Sequence, residues 1–207
     1  MYIPKYYKVT NINEIWDFVK ENSFGTIVTT RKEKPIATHL PLQLVQEGDT
    51  YFITGHIAYV NPQWRTFETS EHVLVMFQGP HAYISSSWYK QENVPTWNYQ
   101  AVHVYGTASI LNKEELKQDL TSLLQKYEKH RENPVLWDRL SPQLLEQELK
   151  GIVGFKIRVQ EIQAANKLSQ NRNEEDYQNI VNKLYEEKDI NSQQMAKLME
   201  SKLKKEN

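Results

Sequence analysis

Six histidines supply the side chains whose ordinary charge change falls near neutral pH: His39, His56, His72, His81, His103 and His130. No two of them make the close helical pair of a zinc peptidase, and none sits in a dense carboxylate cluster, so no metal site is expected. The chain has no cysteine, which excludes disulfides, thiolate metal sites and cysteine catalysis together. A G-x-S-x-G elbow is absent, and the run Ser85-Ser86-Ser87 has no nearby base in sequence, so it reads as loop or strand edge. His130 falls at a helix C-terminus, where its charge complements the dipole. Thr38-His39 and Gly55-His56 each place an imidazole beside a small polar or flexible neighbour, which suits a satisfied core histidine as well as a site.

Residues 72–106 hold the densest chemistry, with two of the five tryptophans, four of the twelve tyrosines and three of the six histidines. A buried-strand run (73–77) is expected to end at Gly79-Pro80. A polar aromatic segment follows (81–89), then a connector (90–95), then a second β-prone run (96–106). Rings interleaved with hydroxyls and imidazoles suit a wall that stacks a flat ligand and hydrogen-bonds its edge. They equally suit an antiparallel sheet with its usual aromatic and β-branched residues. A second candidate is GHIAYVNPQW (55–64). There a strand, a glycine and an Asn61-Pro62 helix start would aim free N–H groups and a helix dipole at an anion. The segment lacks the spacing of a Walker or dinucleotide fingerprint.

The elements that must position these residues follow from periodicity. Asn11 with Glu14 forms a capping-box pattern, Ile12, Ile15, Trp16 and Val19 recur at helical spacing, and Gly25 is read as the stop. Residues 24–30 and 36–44 read as strands around a polar turn, with Pro41 marking a bulge or an edge. Glu47-Gly48-Asp49 predicts a hairpin into TYFITG. Asn112 with Glu115 opens a second helix with its apolar face at Leu116, Leu120, Leu123, Leu124 and Tyr127. Ser141-Pro142 starts a short helix that runs to Gly151, and GIVGFKIRV (151–159) returns to strand. Six or seven strands without regular βαβ alternation predict an α+β fold: a closed or partly closed antiparallel barrel with packed helices.

The 207 residues suit one sizeable domain with an appendage. The boundary is expected after Arg172, giving a barrel domain over residues 1–172 and a helical appendage over 173–207. In the appendage Tyr177, Ile180, Val181, Leu184 and Tyr185 form one stripe and Met195, Leu198, Met199 and Leu203 another, with Asn191 or Ser192 as a cap. It is expected to dock on its own barrel or on a partner. Lysine and arginine total 25 against 26 acids, so DNA contact finds no support in the charge pattern. No apolar run approaches the roughly 20 residues of a membrane span, and MYIPKYYKVT lacks a signal-peptide core, so a cytoplasmic location is expected.

Six blocks in order carry a resemblance: ATHLPLQL (37–44), GHIAYVNPQW, FQGPHAYISSSWY (77–89), VPTWNYQAVHVYG (94–106), GIVGFKI (151–157) and KLSQNR (167–172). The chain resembles the PaiB family, FMN-binding negative transcriptional regulators with a split β-barrel, over nearly its whole length up to about Leu184. Two positions depart from the family pattern. Tyr59 stands where many members carry a basic residue, and Ser86 where many carry proline.

The resemblance implies a homodimer that shares its cofactor sites between subunits, and a regulator of sporulation and degradative-enzyme genes. It places Thr38, His39 and Leu40 along the flavin ring edge and Thr54, Gly55, His56 and Asn61 in a phosphate-side loop. Lys167, Ser169 and Gln170 would reach the same ligand, with Trp97 and Tyr99 as aromatic cover. Two alternatives stand beside it: a flavin-dependent oxidoreductase whose catalytic residues the sequence does not identify, and a haem-binding or haem-degrading split barrel using His39, His56 or His81 as axial ligand.

Overall fold

The computed structural model describes residues 1–206, with side chains described through Lys202, so Leu203 of the second tail stripe lies outside the described side chains. Eight strands form one sheet in the order β3-β2-β6-β7-β8-β5-β4, with β1 paired to β8. They are β1 (Lys8–Val9), β2 (Phe24–Arg31), β3 (Lys34–Pro41), β4 (Gln43–Glu47), β5 (Thr50–Ala58), β6 (Val73–Ile84), β7 (Thr96–Ile110) and β8 (Ile152–Lys167). The helices are α1 (Ile12–Glu21), α2 (Lys113–Glu128), α3 (Pro142–Leu149), α4 (Glu174–Glu186) and α5 (Ile190–Glu206). The α+β expectation holds, and the registers known for β1/β8, β2/β3, β2/β6, β4/β5 and β5/β8 are all antiparallel.

Several elements form for the reasons read in the sequence. Asn11 Oδ1 accepts from the backbone N–H groups of Asn13 and Glu14 at the start of α1. The reciprocal capping box of Asn112 and Glu115 opens α2. Ser141 caps α3, with proline at its first turn. The Glu47↔Thr50 pair closes the β4/β5 hairpin around Gly48, whose φ is +59°. Pro41 ends β3, which is a terminal strand of the sheet path.

Four expectations are corrected. Gly25 is not a helix stop but the second residue of β2. A Cβ there would meet side-chain atoms of Leu42 and Phe77, and the Met76 carbonyl, at 3.0 Å. Strand β6 does not end at Gly79-Pro80 but continues through them to Ile84. The strand count rises to eight, because the two-residue β1 pairs with the far end of β8 (Lys8↔Ala165) and is too short to show a period. Helix α5 begins at Ile190 and is capped by Asp189, whose carboxylate accepts from the Ser192 N–H at 2.9 Å and the Ser192 hydroxyl at 3.1 Å. An aspartate makes a better cap than either residue read from the sequence because its charge also meets the positive end of the helix.

Two compact units divide the chain. The first comprises Met1–Phe18, Gln78–His103 and Gln163–Asn207, and the second Val19–Phe77 and Val104–Ile162. In the second unit the buried centre includes Ile27, Ile53, Val73, Val75, Val104 and Ile157, with Phe67 edge-on to Phe155 at 4.9 Å. In the first unit α4 and α5 bury Tyr177, Ile180, Val181, Leu184, Met195, Ala196 and Met199 against Ala82, Ile84, Tyr89 and Leu168. The tail is thus part of its own chain's core. Each fully buried aliphatic side chain there contributes about 1.5–3 kcal/mol of transfer free energy. No helix among the described residues is long and apolar enough to cross a membrane.

Candidate functional site

In the second unit, terminal strand β3 is tied to the loop that follows β5. Asn61 Nδ2 donates to Thr38 Oγ1 at 3.0 Å, and Thr38 Oγ1 donates to Gln63 Oε1 at 2.5 Å. Gln63 is 2% exposed, and its Nε2 lies 3.2 Å from the Ile27 carbonyl, Thr29 Oγ1 and the Ile36 carbonyl. One buried amide therefore spans β2, β3 and the loop. Asn61 Oδ1 also accepts from the Gln63 N–H at 3.0 Å and so caps the turn Pro62–Thr66. That turn is a five-residue 3-10 helix. It is too short to build the macrodipole expected at an anion-binding helix start, and its first N–H is already satisfied.

Around this knot His39 is exposed, Thr38 half-buried and Leu40 buried, as the alternation of β3 requires. Tyr59 is half exposed and tilted against Trp64 at 5.7 Å, and the Arg65 guanidinium lies 4.4 Å over the Trp64 ring. The edge strand thus stands beside a loop that carries an amide, two tilted rings and a cation.

Thr54, Gly55 and His56 do not form a loop. They lie within β5, where Gly55 is buried and a Cβ would meet Leu42 at 3.0 Å and Phe155 at 3.2 Å. Thr54 Oγ1 donates to Asp119 Oδ1 of α2, which also accepts from Gln43 Nε2 at 2.8 Å. Burial holds the Asp119 carboxyl above the usual aspartate range, against the opposing pull of Thr54, His56 and Gln43. Burial likewise lowers the His56 imidazole, and the Asp119 charge partly offsets that. Asp119 Oδ2 is buried and has no hydrogen-bond partner among the described residues.

The other expected residues belong to the first unit. Trp97 is 53% exposed and meets Tyr83 edge-on at 5.9 Å and His81 at 6.3 Å. Tyr99 follows on the same strand, half-buried. Lys167, Ser169 and Gln170 do not converge. Lys167 Nζ donates to Thr96 Oγ1 and lies 5.9 Å over the Tyr7 ring. Burial, and then the Arg172 charge, lower its pKa. Ser169, at φ +60°, is buried against the Asn98 amide. Gln170 uses its own amide on the turn: Oε1 accepts from the Leu168 N–H at 2.7 Å, and Nε2 donates to the carbonyls of Asn166 at 2.7 Å and Tyr6 at 3.1 Å.

Sequence reasoning missed Gln63 and Asp119. Asp119 had a signal, because it lies three residues after Leu116 and one before Leu120 on the apolar side of α2. Gln63 had none, since one glutamine after a proline looks like any exposed first-turn residue.

Residues 1–161 match the family described as "Putative FMN-binding domain". The chain is 71% identical to the Protease synthase and sporulation protein PAI 2 of Bacillus subtilis (strain 168), over the full length of both. Among solved structures it is similar to the Flavocytochrome Anf3 of Azotobacter vinelandii (TM-score 0.61, 16% identity, 86% of this chain and 78% of that one). It is also similar to the FAD and haem binding protein of Mycobacterium smegmatis (TM-score 0.57, 13% identity, 78% of this chain and 73% of that one). At such identities the structural likeness speaks for the fold, a split β-barrel.

Proposed function

Because this chain belongs to the PaiB family of FMN-binding domains, we propose that it is an FMN-binding split-barrel regulator acting negatively on sporulation and degradative-enzyme genes. The observation that carries the cofactor reading is the Thr38–Asn61–Gln63 knot, which fixes an edge strand beside a polar, aromatic and cationic loop. Flavin mononucleotide asks for main-chain contacts along its pyrimidine edge, a charged or donor-rich seat for its phosphate, and apolar cover for its ring. β3 ends the sheet path, so one side of its backbone at Thr38, His39 and Leu40 has no strand partner among the described residues. Asn61 and Arg65 offer an amide and a cation on one short turn, which supports a phosphate seat there despite Tyr59. Thr54, Gly55 and His56 act behind this surface by holding β5.

Bound flavin supplies reversible acceptance of one or two electrons. The residues that would hold it are Thr38, His39 and Leu40 of β3 for the ring edge and Asn61 and Arg65 for the phosphate. Trp97, Tyr99 and Lys167, with the turn set by Ser169 and Gln170, are offered to the cofactor of a second copy in a homodimer. The protein acts in the cytoplasm. With a formal net charge of −1 it controls transcription through a partner rather than by a basic DNA-reading face.

An absorbance spectrum of freshly purified protein, followed by titration with FMN, tests the reading. Flavin bands and saturable FMN binding support it. A Soret band would instead favour the haem reading, with His39, His56 or His81 as ligand. Colourless protein that does not bind FMN would refute both.

A further inference from the structure

Apart from the edge-strand surface, the first unit contains a recess of about 560 Å³, within the roughly 300–1,000 Å³ common for small-molecule sites. Its walls carry three cations, Lys8, Arg172 and Lys202, against two carboxylates, Glu14 and Glu174. These charges are not equally available. Lys202 is ion-paired with Glu14, whose Oε1 also accepts from Asn166 Nδ2 at 3.0 Å. Glu174 sits in the first turn of α4, where its charge is complemented by the helix itself. Arg172 forms no ion pair among the described residues; its guanidinium carbon lies over the Tyr89 ring, 4.5 Å from the centroid. Lys8 is exposed on β1 and likewise has no carboxylate partner among them.

The recess therefore presents uncompensated positive charge beside aromatic rings. Tyr6 is 78% exposed, and its main chain is anchored by the Gln170 amide at 3.1 Å, so its ring stands on a fixed support. Tyr7 is half-buried beside it. An arginine held over an aromatic ring is pre-oriented for an oxyanion, carboxylate or phosphate, because the ring occupies its face and leaves its fork of N–H donors free. A flat ring in the same molecule would lie against the tyrosines.

We propose that this recess binds a small aromatic oxyanion, with Arg172 and Lys8 taking the anionic group and Tyr6 and Tyr7 the ring, as an effector site separate from the edge-strand flavin surface. Carboxylate and phosphate share the required chemistry, and probes distinguish them. The full chain is titrated calorimetrically with salicylate and with adenosine monophosphate, each beside a neutral counterpart, salicyl alcohol and adenosine. At least one charged probe is expected to bind at least about tenfold more tightly than its neutral partner.

Arg172→Gln should weaken that probe about tenfold or more, with Arg172→Lys between it and the native protein. Lys8→Gln, on an exposed side chain with no ion pair to lose among the described residues, should weaken it severalfold and decides the matter if Arg172→Gln does not fold. FMN affinity should be unchanged in both variants. No binding by either charged probe, equal binding of charged and neutral probes, or unchanged affinity in well-folded variants would overturn the proposal. Joint loss of probe and FMN binding would overturn it as well, because the recess would then be the flavin's own seat.

Discussion

Replacing Gln63 by leucine isolates the amide that joins β2, β3 and the loop after β5, while keeping most of its volume. Its Oε1 accepts from Thr38, and its Nε2 has three acceptors at 3.2 Å. With two hydrogens on that nitrogen, at most two of the three are well served at once. About three net hydrogen bonds are therefore lost, at about 1 kcal/mol each, and the leucine recovers roughly 1 kcal/mol by burying an apolar group. The expected loss is about 2–3 kcal/mol, which for a chain of this size lowers Tm by roughly 4–12 °C. Urea titration followed by tryptophan fluorescence measures it, with an unchanged m-value showing that the transition is the same one. FMN affinity should fall in parallel, because Thr38 loses its anchor. A loss below about 1 kcal/mol would mean that water replaces the amide, and the knot would then not fix the edge strand.

Four further outcomes are expected. Thr38→Val removes the hydroxyl between Asn61 and Gln63 and should weaken FMN about tenfold in fluorescence titration, with a stability loss of about 1–3 kcal/mol. Lys167→Ala should weaken FMN by roughly tenfold to a hundredfold but leave riboflavin, which lacks the phosphate, unaffected; equal losses would exclude a phosphate contact. His56 has its folded pKa held below 6.5, so the unfolded chain binds the extra proton first and stability falls as pH drops below 6.5. His56→Gln should flatten that slope in denaturation series between pH 7 and 5. Truncation after Arg172 removes the cover of Ile84 and Tyr89, and should lower solubility and raise dye binding to exposed apolar surface.

What the sequence made legible was whatever local periodicity encodes. The Asn11 cap of α1, the Asn112/Glu115 capping box, the burial of Ile15, Trp16, Val19 and Leu116, the β4/β5 hairpin and the edge position of β3 all follow from spacing within a dozen residues. The expected reciprocal contact from Glu14 is not made, because its carboxylate meets Asn166 and Lys202, and Tyr127 of the expected α2 face is exposed. Two kinds of feature escaped. The first is pairing that only tertiary structure enforces: β1 is too short to show a pattern, and β6 passes through Gly79-Pro80, which in isolation signals a break. The second is polar burial. Thr38 and Asn61 could be named separately, but their meeting at 3.0 Å depends on Gln63, whose burial no local rule announces. Ser169 and Gln170 read as ligand donors because their chemistry suits one. In the fold, Ser169 pairs with the Asn98 amide and Gln170 with the backbone of its own turn.

The first compact unit draws on the beginning, middle and end of the chain, and this bears on how the protein is made. A ribosome delivers residues 78–103 and then adds 104–162 before any of the third segment emerges, which takes roughly 3–12 s at ordinary elongation rates. Through that interval β1 lacks the strand it pairs with, and Ile84 and Tyr89 lack α4 and α5. The nascent chain must wait with an open edge and an uncovered apolar face, so synthesis rate and chaperone supply set its yield. Codon changes that slow translation across residues 104–162 should lower soluble expression while leaving the finished protein as stable as before.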